Sequence, residues 1–220
     1  MFSAEWLALR EPADAAARSA SLTEWLAGAL PRAESLGVLD LAAGMGANAR
    51  YLADRLARGQ DWLLVDRDLS LLGLLPERMS TWARGRGLVV TTDEHGMRVT
   101  GSGQREFRLA TGPVDLATLD DPALFANRDV VTASALLDLV SEAWLRVLAA
   151  RCREAGAAAL FALTYDGRID CLPADPEDAT IYDLVNRHQR TYKGFRPALG
   201  PEAVAAAERC FTGEGYRVRR

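Results

Sequence analysis

"VLDLAAGMGANARYL", residues 38–52, decides the fold. A short apolar run ends in the carboxylate of Asp40, a loop of small residues carries Gly44 and Gly46, and a helical pattern follows. Strand, glycine turn and helix in that order open a nucleotide-binding α/β unit. The acid is the anomaly. A phosphate at the start of the helix would sit beside Asp40 and be repelled, whereas a ligand carrying an amine and a sulfonium would be attracted.

The flanking sequence repeats the alternation of strand and helix. "DWLLVD" reads as a second strand ending in Asp66, after a helix "ANARYLADRLARG" that Gly59 is expected to stop. "LSLLGLLPERMSTWA" is helical on either side of Pro76, which is expected to kink or split it. "LVVTTDEHGMRVTGSG" reads as a β-hairpin with His95 in its turn, inserted before a third core strand, "REFRLATG". "PVDLATLDDPALFA" leads into a loop and short helix, and "DVVTASALLDLV" contains the fourth strand. Ser141 caps the next helix, "AAALFALTY" is the fifth strand, and Asp175 is expected to cap "DPEDATIYDLVNRHQRT". A last helix precedes "YRVRR", read as the start of a sixth strand, so that the final hairpin is reduced or truncated. Residues 3–30 read as two helices interrupted near "REPAD" and ended by Pro31. The fold class is therefore α/β: a doubly wound, mainly parallel sheet, with residues 1–34 as a helical cap and 35–220 as a Rossmann-like domain. Ligands in such sheets lie beyond the carboxyl ends of the strands, which gathers residues 40–48, 66–68, 115–117, 132–138 and 164–170 around one crevice.

Bulk properties agree. The 220 residues are 49% hydrophobic and 25% charged, the proportions of a chain with a real core. No apolar run is long enough for a membrane span, and the N-terminus lacks the form of a signal peptide. A net charge of −4 argues against a nucleic-acid partner. Cys152, Cys171 and Cys210 are too dispersed for a metal knuckle and read as reduced thiols of a cytoplasmic protein. His95 and His188 are the only histidines, too few for a multi-histidine metal centre, so no metal is expected.

With Asp40-Leu41-Ala42-Ala43-Gly44-Met45-Gly46, then Asp66, "VDLATL" and "DVVTASALLDLV" in order, the chain resembles the class I S-adenosylmethionine-dependent methyltransferases over roughly residues 35–220. The departure is Ala42 in place of the first glycine of the motif. Because alanine resists positive φ, the loop is expected to pass there with an ordinary negative φ. The resemblance implies S-adenosyl-L-methionine as cofactor. It also implies that Asp40 and the backbone of Ala42, Gly44 and Gly46 border the methionine part, with Asn48 capping the helix or touching the ligand. Asp66 would hold the ribose hydroxyls, and Arg67 would flank the adenine. Asp115 and the Leu116 N–H would contact the adenine, Ala133 and Ser134 would lie near the amino-acid end, and Arg10 or Arg18 would pair with the carboxylate. As an alternative, "GMGANA" with Asp66 about twenty residues on fits an NADP-type oxidoreductase; a non-catalytic nucleoside-binding module is a third reading.

The acceptor side is less legible, because in-line methyl transfer asks mainly for proximity, and for a base only when the acceptor arrives protonated. The fourth strand lacks the acid-or-asparagine, two prolines and aromatic often found when amide or base nitrogens are methylated. A small-molecule acceptor is therefore the first expectation and a protein side chain the second, with the enzyme a monomer or homodimer. Tyr165 and His188 are the catalytic candidates; Asp138 reads as a cap or a contact of the N-terminal helices, with a catalytic role as the lesser reading.

Overall fold

The computed structural model describes residues 3–30, 33–56, 59–94, 96–101, 106–195 and 197–220. Two N-terminal helices, α1 (Ala4–Ala17) and α2 (Ala20–Ala29), precede β1 (Ser35–Leu41), α3 (Ala47–Ala53), β2 (Gly59–Asp66) and α4 (Leu69–Arg84). Then come β3 (Val89–Asp93), β4 (Gly96–Thr100), β5 (Glu106–Pro113), β6 (Val130–Ser134), α5 (Glu142–Ala155), β7 (Ala158–Ala162), α6 (Asp178–Gln189) and α7 (Ala203–Gly213). The described strands form one sheet in the order β3-β4-β5-β2-β1-β6-β7. β5, β2, β1, β6 and β7 are parallel, and the expected hairpin β3–β4 adds antiparallel to the β5 edge. From β1 the chain winds outward through β2 to β5, then crosses back to β6 on the other side. The order reverses between β1 and β6, and that switch point opens a crevice at the strand ends.

Alternation along β1 builds both cores. Leu36 and Val38 face Leu52, Trp62, Leu75 and Met79 on the α3–α4 side, while Leu39 and Leu41 face Leu145, Leu148 and Phe211 on the α5–α7 side. Asp40 shares the face of Leu36 and Val38, so its carboxylate enters the sheet beneath α3. At the other end of β1 the backbone passes so close to the Asn127 carbonyl that a side chain at Gly37 would run into it. Gly37→Ala should cost about 1–3 kcal/mol in a urea melt with the fold retained; an unchanged midpoint would show that this end of the strand yields freely.

Several boundaries differ from expectation. The N-terminal break falls at Arg18, not "REPAD": Ser19 caps α2, accepting from Leu22 N at 3.3 Å, and α1 runs through Pro12. No residue of α1 is buried, so water can satisfy the carbonyl that proline leaves unpaired. α4 likewise continues through Pro76. α3 ends at Ala53, and Gly59 opens β2, where a side chain would strike the Glu34 carbonyl. α6 starts at Asp178; Asp175 instead accepts from Glu177 N in the preceding turn. "YRVRR" is not a strand. Tyr216 Oη donates to Ala157 O at 2.8 Å, and Arg217 and Arg219 stack over Trp25. Pro31 and His95 lie outside the described residues. No helix among those described is long and apolar enough to cross a membrane.

Candidate cofactor crevice

Asp40, at the end of β1, is wholly buried. Asn48 Nδ2 donates to its Oδ1 at 2.7 Å and approaches Thr132 Oγ1 of β6 at 3.1 Å, so one amide spans the switch point. Asn48 sits inside α3, whose N-cap is Gly46, and the capping role is therefore not the one it plays. Asp40 Oδ2 has no hydrogen-bond partner. Burial raises the Asp40 pKa to about 7, opposed by the Asn48 bond and by the charge of Arg18.

Arg18 arrives from the elbow between α1 and α2. Its guanidinium donates to Asn48 Oδ1 at 2.7 Å and to Ser134 Oγ at 2.9 Å, and lies 4.6 Å from the centre of the Tyr51 ring. Burial lowers its pKa, and Asp40 is the largest charge opposing that. A second link joins the same helices to the crevice, one that sequence reading missed. Arg50 of α3, buried, forms a bidentate pair with Glu11 of α1 at 2.7 and 2.8 Å and donates to Met45 O in the glycine loop at 2.6 Å. An arginine and a glutamate 39 positions apart carry no local pattern that would pair them.

The loop itself is left-handed at three places: Ala42 at φ 55°, Gly44 at 52° and Gly46 at 79°. The ordinary φ expected at Ala42 is thus overturned. Ala43 N donates to Val65 O at 2.9 Å, which holds the turn against β2 across the strained residue. Asp66, half-buried at the end of β2, accepts from Gly44 N at 2.8 Å on one oxygen and from Asp68 N at 2.9 Å on the other. Each oxygen retains a lone pair for a further donor. Arg67 is exposed. Asp115 is exposed and holds its own turn, accepting from Ala117 N at 3.0 Å; Leu116 is buried, its carbonyl taken by Trp144 Nε1 at 2.7 Å. Ala133 is buried in β6, and Ser134 is the hydroxyl that Arg18 grips.

The two acceptor-side candidates stand apart from this network. Tyr165, beyond β7, donates its hydroxyl to Asn186 Oδ1 at 2.8 Å. His188, exposed in the last turn of α6, lies 3.1 Å from Lys193 Nζ through Nε2. Two cavities lie beside the crevice. One of about 250 Å³ runs along the β7 edge between α2 and α7, and one of about 160 Å³ sits beneath the Arg18 elbow. Neither is lined by the glycine loop, so the placement of the site rests on its polar groups.

No protein-family model matches the sequence, and no curated protein sequence does. Solved structures share the architecture. An O-methyltransferase family protein from Burkholderia thailandensis aligns at 13% identity and TM-score 0.52, over 94% of this chain and 52% of its own. The cyclopropane synthase MmaA2 from Mycobacterium tuberculosis aligns at 11% and 0.52, over 91% and 61%. This is the class I methyltransferase fold. The chain spans between half and two thirds of the length of these two proteins. In this fold Asp40 lies at the end of β1 and Asp66 at the end of β2, with the glycine turn following β1.

Proposed function

We propose that this chain binds S-adenosyl-L-methionine in the crevice and transfers its methyl group to a small-molecule acceptor, with a protein side chain as the second choice of acceptor. The reading is carried by Asp40 Oδ2, a wholly buried carboxylate oxygen left without a partner at the switch point. Such an oxygen calls for a cationic donor, which an amino-acid ammonium would be and a pyrophosphate would not. The residues present fit that ligand. Asp40, Ser134 and the backbone of Ala42, Gly44 and Gly46 would hold the methionine end, and Ala133 and Asn48 would shape it. Asp66 would hold the ribose, and Arg67, Asp115 and Leu116 the adenine. When bound, the sulfonium supplies an electrophilic methyl group. The chain's own residues orient it and, through the α1–α2 cap, exclude water.

Arg18, already within the crevice, is the cation placed to take the ligand carboxylate. Arg18→Ala should weaken S-adenosylhomocysteine about tenfold or more in calorimetry, while leaving 5′-methylthioadenosine, which lacks the amino-acid end, within twofold. Equal losses for both ligands would remove Arg18 from the carboxylate. If neither ligand binds the unsubstituted protein while NADP does, the methyltransferase reading fails and the oxidoreductase alternative takes its place.

A further inference from the structure

A second buried carboxylate is left unexplained by the cofactor crevice. Asp138 follows β6 by four residues, is more than nine-tenths buried, and its Oδ1 has no hydrogen-bond partner. Three elements meet at it. The backbone N–H of Tyr165, just beyond β7, stabilises its charge, and the Gly200 N–H donates to its carbonyl at 2.9 Å. Arg10 of α1 faces it as the nearby cation, itself paired with Asp14 at 2.9 Å. Gly200 packs against Gln189 at the end of α6, and Tyr165 is tied to Asn186 of the same helix, so α6 stands next to this acid. α6 buries none of its residues and leaves Ile181 and Leu184 half-exposed. The carboxylate thus lies among the carboxyl ends of β6 and β7, the cap and a helix with an uncovered apolar side.

Resting on the methyltransferase reading, we infer that Asp138 is the catalytic residue of the acceptor side, and that the acceptor is a small molecule whose nucleophile is an O–H or N–H group. The orphan oxygen accepts the hydrogen bond of that group and aims its lone pair at the methyl carbon. In the transfer, the acceptor lone pair forms the bond to the methyl carbon. The carbon–sulfur bond breaks with its pair left on sulfur, giving S-adenosylhomocysteine. The acceptor proton passes to Asp138, which becomes a neutral carboxylic acid. Burial already pushes this carboxyl above its ordinary range, which makes it a stronger base than an exposed aspartate. A thiolate carries no proton and a C–H group donates no comparable hydrogen bond, so either would leave the oxygen unsatisfied.

The test uses the full chain saturated with S-adenosylhomocysteine and three donor probes, phenol, benzylamine and ethanolamine, with anisole as the donor-free match to phenol. At least one donor probe should bind saturably by NMR titration, phenol at least tenfold tighter than anisole if phenol is that probe, and Asp138→Ala should abolish the binding. Asp138→Asn keeps shape and acceptor oxygen but not basicity. With tritiated S-adenosylmethionine it should lower kcat for the bound probe about 100-fold and leave KM within threefold. Both variants should bind S-adenosylhomocysteine as the parent does, with unchanged circular dichroism. Binding of anisole equal to phenol, no binding of any donor probe, or full turnover by Asp138→Asn overturns the inference while the cofactor reading stands. Loss of S-adenosylhomocysteine binding in the parent protein overturns both.

Discussion

Asp66→Ala should weaken S-adenosylhomocysteine binding by about 10³-fold. The carboxylate performs two jobs that no neighbour can assume. It pins the glycine loop through Gly44 N and starts the next helix through Asp68 N, and its free lone pairs are those proposed for the ribose hydroxyls. A hydrogen bond to a charged group contributes roughly 1.5–3 kcal/mol, so two lost to the ligand amount to roughly 3–6 kcal/mol, which brackets a thousandfold change. Asp66→Asn, retaining one carbonyl acceptor, should fall between. Calorimetry on both variants, with thermal melts to show that they fold, measures this. Binding by Asp66→Ala within tenfold of the parent would mean that the β2 carboxylate is only a turn former.

The second large effect concerns Asp40 and reverses sign between stability and binding. Its pKa is raised from an ordinary 3.8 to about 7, chiefly by burial. The folded state therefore keeps its proton to higher pH than the unfolded chain. The stability linked to this group is fully present below about pH 4 and lost as pH rises through about 7. A shift of that size corresponds to at most roughly 4 kcal/mol. Asparagine preserves the bond from Asn48 through its carbonyl and replaces the charged orphan oxygen with a neutral amide. Asp40→Asn should thus be more stable than the parent at pH 8, by up to about 4 kcal/mol, and nearly equal to it near pH 4. The same variant should bind S-adenosylhomocysteine about 10–100-fold more weakly, because the ligand ammonium loses its anionic partner. Urea melts at several pH values and calorimetry at pH 8 check both halves. A variant destabilised at pH 8 would show that Arg18 already offsets the buried charge.

The legible parts were those governed by local pattern. The short apolar runs "VLDL" and "DWLLVD", the glycine turn after the first and the hairpin around "DEHG" placed the strands, and their order implied the crevice at the strand ends. The cap at Ser141 is a short-range feature of the same kind. What failed was decided by tertiary context. The first helix read as interrupted near "REPAD" and the Pro76 helix as kinked or split, yet both continue through their prolines. Gly59 read as a helix stop, whereas its lack of a side chain serves a crossing with Glu34. "YRVRR" read as the start of a sixth strand, but Arg217 and Arg219 instead stack on Trp25. At the site, Asp40 and Asp66 were readable because each ends a strand. The Asn48–Thr132 bridge, the Glu11–Arg50 pair and the unpartnered oxygen of Asp138 join residues remote in sequence, so only the folded chain reveals them.

Left-handed backbone at Ala42 recurs at Ala135 and Leu163, beyond the ends of β6 and β7, at 54° and 56°. Nature usually spells such bends with glycine, yet a side chain there costs only about 1–2 kcal/mol, a sum one well-packed leucine can outweigh. The main chain can therefore hold this curve at positions where the glycines that usually mark it are absent from the sequence.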